Sequence, residues 1–239
     1  DWDGEPVFQS KREDQHVAAV DKLVSEGKAY KCYCTREELD DMREKQRAAG
    51  EKPMYDGRCR GRTDIPEDAP YVVRFRSPDE GETWVKDQVL GDVCFPNKEL
   101  DDLIIKRTDG TPTYNLAVVV DDADMGITHV VRGSDHLNNT PRQIQLYQAL
   151  NLPIPVFAHI PLIHGPDGAK MSKRHGAVAI TEYREKGYLP HAVNNYLARL
   201  GWSHGDEEVF SEAQLIELFD LAAVGKGALI ANTTANDNT

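Results

Sequence analysis

The sequence predicts an α/β fold organised around a parallel sheet, joined to a compact α+β unit and followed by helices. Three observations predict it. Two apolar strand-like runs, "ITHVVRG" (127–133) and "VFAHIPLI" (156–163), flank a helix-like segment, "NNTPRQIQLYQAL", and strand, helix, strand in that order favours a parallel pair. Residues 31–113 mix one helix pattern with three strand patterns. After residue 180 helical spacing dominates. At 239 residues the chain suits one large domain or two ordinary ones.

The elements follow in order. Ser10 and Glu13 have capping-box spacing, and Val17, Val20, Leu23 and Val24 make an apolar stripe that ends near Gly27. A second helix should follow Thr35, with Glu38 completing the box, and stop at Gly50. Residues 52–70, rich in Pro, Gly, Asp and Arg, read as loop. "YVVRFR" (71–76), "TWVKDQVL" (83–90) and "LIIKRTDGTPTY" (103–114) read as strands, the last broken by an Asp-Gly turn. Cys94 in "DVCF" reads as a buried strand residue. "NLAVVVDD" fits a buried helix or a strand, which periodicity alone does not separate. Thr140 is the expected N-cap of the next helix, with Pro141 in its first turn and Gln143 completing a box. Ala192, Val193, Tyr196, Leu197 and Leu200 share one face of a later helix that Gly201 closes. The tail "GKGALIANTTANDNT" is small and polar and reads as frayed.

A net charge of -12 argues against non-specific coating of nucleic acid, although local basic patches still serve RNA. No window approaches the ~20 apolar residues of a membrane span, and no basic-then-apolar leader is visible. The four cysteines do not form a secreted disulfide framework. The reading is a cytoplasmic protein with reduced thiols. Against this acidic background, "GAKMSKRHGA" (168–177) sets Lys170, Lys173 and Arg174 around Met171 and Ser172 between glycines. Such a loop neutralises polyphosphate and can close over developing charge. The plain alternative is a solvated basic turn.

The residues of this loop carry a resemblance. "KMSKR" resembles the second signature, KMSKS, of class I aminoacyl-tRNA synthetases. With "YLPHAVNNYLARLGWSHGDEEVFS" (188–211), "DGTPTYNLAVVVDDADMGITHVVRGSDHLNNTPRQ" (109–143) and "KCYCTREELDDMREKQRAAGEKPMYDGRCR" (31–60), the chain resembles bacterial glutamyl-tRNA synthetases over about residues 1–224. The implied fold is α/β: a partial Rossmann-type class I synthetase catalytic domain with an inserted α+β acceptor-binding subdomain and the start of a helical stem-contact domain. The implied division is 1–30 for the end of the first Rossmann half, 31–113 for the acceptor-stem insertion, 114–180 for the second half with the KMSKR loop, 181–226 for the stem-contact start, and 227–239 for a disordered tail.

The implied activity is ATP-dependent, AMP-forming ligation of glutamate to tRNA(Glu) through glutamyl-adenylate. MgATP, L-glutamate and tRNA are its substrates, and the family is typically monomeric. By resemblance, Lys170 and Lys173 hold phosphates, Ser172 and Arg174 shape the loop, and the backbone at Leu162 and Ile163 meets adenine. Arg132 receives the substrate α-carboxylate, which suits a guanidinium fork, and Tyr114 lines the same pocket. Asp135 and His136 fall near the ATP ribose and base. A surface ion pair is the plain alternative for Arg132, and a helix cap for His136. Arg58, Arg60 and Arg62 would meet the RNA acceptor end. The paired Asp121 and Asp122 invite a metal or acid–base reading, but a helix-end structural role is preferred because the attacking carboxylate is already ionised.

Cys32, Cys34 and Cys59 give C-x-C-x24-C, three of the four ligands a zinc site wants. Some members of the resembled family carry zinc here with a His two residues after the third cysteine. That position is Gly61, and by resemblance to a shorter glutamylating relative Tyr55, four residues before Cys59, is a candidate fourth ligand. Three reduced, partly buried cysteines are the alternative. The tetrapeptide HIGH, the family's first signature, does not occur. The resemblance thus implies an internal segment, inactive alone and prone to aggregate through exposed sheet edges. Two further readings are a related enzyme that glutamylates a modified base in a tRNA anticodon, and a non-catalytic RNA-binding piece whose affinity falls with salt.

Overall fold

The computed structural model describes residues 4–65, 68–165, 167–171, 179–227 and 229–230. In chain order its first elements are α1 (Glu13–Ser25), β1 (Ala29–Cys32), α2 (Arg36–Ala48), β2 (Val72–Phe75), β3 (Glu82–Asp87), β4 (Gly91–Pro96), β5 (Ile104–Lys106) and α3 (Tyr114–Asp124). Then come β6 (His129–Gly133), α4 (Thr140–Leu150), β7 (Val156–Ile160), β8 (Ile163–His164), α5 (Ile180–Glu185), α6 (Pro190–Arg199), α7 (Glu212–Leu218) and β9 (Leu229–Ile230). The chain divides into two units, one of residues 1–85, 94–128 and 138–155, the other of 86–93, 129–137 and 156–239.

In the first unit α1, α3 and α4 pack together. Their apolar faces bury Val20, Leu23, Leu116, Val119, Ile144 and Leu146. Burial of such side chains is worth about 1.5–3 kcal/mol each before chain entropy is charged. The antiparallel sheet runs β1-β2-β5. Lys22 and Lys28 donate to the carbonyls of Leu150 and Ala149 at 3.3 and 2.6 Å, where cations complement the C-terminal end of α4. The capping box of α2 is present as read, with Thr35 accepting from the Glu38 amide and Glu38 from the Thr35 amide.

Two other boxes are absent. Gln9–Lys11 form a 3-10 turn, and α1 starts after Arg12 without a side-chain cap, so Ser10 and Glu13 do not pair. A long-range tie holds this end instead, as Arg12 Nε donates to Asp121 at 2.6 Å. Thr140 lies inside α4, fully buried, and Asn139 stands at the cap position. The Gln143 amide reaches Asn115 at 2.9 Å rather than turning back. The Asp-Gly turn forms as read, with Gly110 at φ 89°, but the third strand stops at Lys106 and Tyr114 heads a helix. Residues 114–121, ambiguous by periodicity, are helical.

In the second unit the end of β3 pairs parallel with β7, and β7 with β6 along its whole length. The strand read at 83–90 therefore runs in the sheet of order β4-β3-β7-β6, not beside β2 and β5. Cys94 in β4 is half-buried rather than buried. Val89, Ala158, Trp202, Phe210 and Val224 form the apolar core here. Of the expected face of α6 only Val193 is buried, with Tyr196 and Leu197 exposed; Leu200 takes the C-cap position and Gly201 follows directly after it. In the tail, read as frayed, Leu229–Ile230 pair parallel with β8. Residues 231–239 lie outside the described residues.

Candidate active site

Parallel strands β6 and β7 end together, and ligands of open α/β sheets collect outside such carboxyl ends. Arg132, next to last in β6, is register partner of His159 in β7. Its Nε lies 3.2 Å from His159 Nε2, and its Cζ lies 5.5 Å from the centre of the Phe157 ring. On the other side of the imidazole, Nδ1 lies 2.5 Å from Asp87 Oδ2, and both side chains are fully buried. Asp87 also accepts from the amides of Val89, Leu90 and His159 at 2.9, 2.8 and 3.0 Å. Burial pushes the Asp87 pKa up, but these bonds outweigh it and hold the carboxyl below its ordinary value. Burial drives His159 down against the pull of Asp87. The sequence reading missed both residues: a His in an apolar strand and an Asp at a strand end carry no motif.

Past β7 the chain forms a hairpin. The Met171 amide donates to the Ile163 carbonyl and the Gly165 amide to that of Ala169. Gly168, at φ 74°, takes a turn conformation that a side chain disfavours. The hairpin carries Lys170 to Asp135, an ion pair of 2.5 Å that holds the Asp135 carboxyl below its ordinary value. Leu162 stands beside Gly133, where an added Cβ would lie 3.3 Å from Leu162 Cδ2 and 2.6 Å from Asp135 Oδ1. His136 follows in the 3-10 turn Ser134–Asn139. Arg132, Asp135, His136, Leu162, Ile163 and Lys170 therefore share the second unit. Ser172, Lys173 and Arg174 lie outside the described residues.

Tyr114 belongs to the first unit, at the head of α3 and 45% exposed. It lines a cavity of about 530 Å³ with Arg43, Arg74, Arg107 and Arg142. Arg58 and Arg62 pair with Asp56 and Asp64 at the surface. Arg60 is committed elsewhere: it bonds both oxygens of buried Asp102, both of Asp79, and the Ser77 carbonyl. Asp121 is likewise structural, held by Arg12 and by buried His16 at 2.7 Å. This agrees with the helix-end role preferred for it.

The cysteine cluster assembles from β1, the segment after it, and the loop of residues 52–70. The sulfurs of Cys32, Cys34 and Cys59 all lie within 4.8 Å of one another, with Cys34 and Cys59 at 3.5 Å. Tyr55 Oη lies 3.3 Å from Cys32 Sγ, 3.9 Å from Cys34 Sγ and 3.1 Å from the Cys59 amide. Tetrahedral zinc–thiolate bonds of ~2.3 Å require sulfurs ~3.8 Å apart, so three thiolates and a phenolate fit the ion with small movements. Burial, then the Cys59 contact, pushes the Cys34 thiol up to about 12.

A mostly parallel sheet with basic and acidic groups converging at its strand ends is the arrangement of an open α/β ligand-binding domain. The chain belongs to the class I synthetase family, matching tRNA synthetases class I (E and Q), catalytic domain, over residues 1–235. It is 59% identical over 232 residues to glutamate–tRNA ligase 1 of Acidithiobacillus ferrooxidans and 58% identical over 234 to glutamate–tRNA ligase of Magnetococcus marinus. These matches cover 97% and 98% of this chain, and the chain spans about half the length (50%) of each relative. The crystal structure of a glutamate tRNA ligase from Elizabethkingia meningosepticum in complex with its amino acid superposes with TM-score 0.82 at 33% identity, covering 95% of this chain and 52% of that one. Among the described residues no helix is long and apolar enough to cross a membrane.

Proposed function

We propose that this chain carries the glutamate- and ATP-binding strand ends of a glutamate–tRNA ligase, which joins L-glutamate to tRNA(Glu) through glutamyl-adenylate. One observation carries the reading: Arg132, Asp135, Leu162–Ile163 and Lys170, drawn from three separate sequence motifs, collect in one unit around the ends of β6 and β7. Arg132 receives the α-carboxylate through its guanidinium fork. Lys170, paired with Asp135 here, is the cation that exchanges this partner for the phosphates of MgATP. Lys173 follows it in the same sequence motif as a further phosphate ligand, with Ser172 and Arg174 as its motif neighbours. Asp135 and His136 face the ribose and base, and the backbone at Leu162 and Ile163 meets adenine. No protein base is required, because the attacking carboxylate is ionised at neutral pH.

Residues 31–113 contact the acceptor end of the RNA. Arg58 and Arg62, whose acidic partners are exposed, can exchange them for phosphate. Arg60 acts by holding Asp102 and Asp79 in place. Cys32, Cys34, Cys59 and Tyr55 would hold one zinc ion, which supplies a structural crosslink between β1 and the loop that follows α2.

Calorimetry with a non-hydrolysable glutamyl-adenylate analogue tests the reading. Saturable binding is expected, displaced by MgATP and weakened at least tenfold, about 1.4 kcal/mol, in Arg132→Ala and in Lys170→Ala. Absence of binding, or binding indifferent to both substitutions, overturns it.

A further inference from the structure

We propose that His159 and Asp87 are positioning residues for Arg132, forming an Asp–His–Arg relay across the ends of three parallel strands that fixes the guanidinium plane for an incoming α-carboxylate. The proposal rests on the reading of Arg132 as the carboxylate ligand.

The strand register builds the relay. Asp87, last in β3, is register partner of Phe157, and His159, two residues further along β7, is register partner of Arg132. Side chains two apart on a strand share a face, and the Phe157 and His159 rings lie nearly parallel, 12° apart. The two links then follow in line, Asp87 to Nδ1 at 2.5 Å and Nε2 to Arg132 Nε at 3.2 Å.

Donor and acceptor chemistry leaves one protonation pattern. Asp87 accepts from the amides of Val89, Leu90 and His159, as an ionised carboxylate does. It has no proton to give, so the shared proton sits on Nδ1. Arginine only donates, so Nε2 must present its lone pair. Both neighbours thus select the neutral Nδ1–H tautomer, the kind of assignment that a second partner makes for an imidazole. A proton added at Nε2 would set N–H against N–H and a second cation beside Arg132. Burial already disfavours that charge, and Arg132 and His136 oppose it further.

The consequence for Arg132 is geometric. With Nε anchored and Cζ seated 5.5 Å from the Phe157 ring centre, the guanidinium plane is set. The edge formed by its two Nη atoms is then the one a carboxylate would take, in the parallel two-bond geometry that gives Arg its specificity. Pre-fixing a ligand-binding group lowers the ordering cost of binding. A buried His–Asp pair that only joined strands would affect stability and leave ligand affinity alone.

The test combines ring ¹⁵N NMR with calorimetry using L-glutamate, on the full chain. The unsubstituted chain is expected to show His159 as the neutral Nδ1–H tautomer. Asp87→Asn keeps an acceptor for the Val89 and Leu90 amides but turns an NH₂ toward Nδ1. It should switch the ring to Nε2–H and weaken L-glutamate about tenfold. His159→Gln, which retains an acceptor near the Nε2 position, should hold affinity within about threefold, whereas His159→Leu should lose it as Asp87→Asn does. That pair carries the test if Asp87→Asn does not fold. An Nε2–H or doubly protonated ring in the unsubstituted chain overturns the relay. So does unchanged affinity in His159→Leu while Arg132→Gln abolishes binding. Unchanged affinity in Arg132→Gln, or no L-glutamate binding by the unsubstituted chain, removes the Arg132 reading itself and the relay with it.

Discussion

Asp121 stands in the last turn of α3 yet bonds Arg12 and His16, 109 and 105 positions earlier. Burial alone would raise its pKa, but the bonds from Arg12 and His16 outweigh burial and hold the carboxyl below its ordinary value. The sign follows by linkage: a carboxyl depressed on folding adds stability at pH above its unfolded value, and this is lost as pH falls through the folded one. Asp121→Asn is therefore expected to destabilise by about 1 kcal/mol at neutral pH, because Arg12 is partly exposed and water screens the pair. The difference from the unsubstituted chain should shrink below about pH 4. Thermal melts from pH 3 to 7 check this, and a constant difference contradicts it. At this scale the motif residues were legible: Arg132, Asp135 and Lys170 stand in patterns that few other chemistries share. His159 and Asp87 were not, because their meaning lies in two contacts across strands.

Among the elements, α2 shows a local signal obeyed and α4 one overridden. Thr35 and Glu38 cap α2 as their spacing says, since nothing competes for either side chain at that exposed end. In α4 the same spacing fails because Thr140 is fully buried and Gln143 finds Asn115. The loop of residues 52–70 has no regular structure among its described residues, yet it delivers Tyr55 and Cys59 to β1. Metal binding would contribute directly to folding there. Protein purified without chelator is expected to hold about one equivalent of zinc by elemental analysis, given a four-donor site. Cys59→Ser should lose it, and chelation should lower Tm by several degrees. Substoichiometric metal in repeated preparations, with no chelator effect, refutes the site. Spacing revealed the three cysteines, but the aim of Tyr55 depended on the loop's path.

At the level of the whole chain, β6 pairs with β7 alone among the described strands and lies at the edge of its sheet. Val131 in β6 is 50% exposed, and Val156 and Ile160 at the two ends of β7 are also exposed. Unpaired apolar edges template association, consistent with the aggregation expected from the sequence. Val131→Lys is expected to reduce self-association measurably in sedimentation velocity at micromolar concentrations while leaving far-UV circular dichroism unchanged. An unaltered sedimentation profile would show that this edge does not drive association.

By itself the sequence determined the fold class, the α2 cap, the Asp-Gly turn, the βαβ order at 127–163, and the family through its long motifs. These are properties of spacing, turn chemistry and residue identity, which short stretches of chain express without help from distant ones. Only the tertiary structure decided that residues 114–121 are helical, that β3 joins β7, that Arg60 serves Asp102, and that Asp87 and His159 stand behind Arg132. The first and third depend on long-range packing, and the second and fourth on which strands pair and in what register. A one-residue slip would turn those side chains to the opposite face, and no local pattern in this chain records that choice.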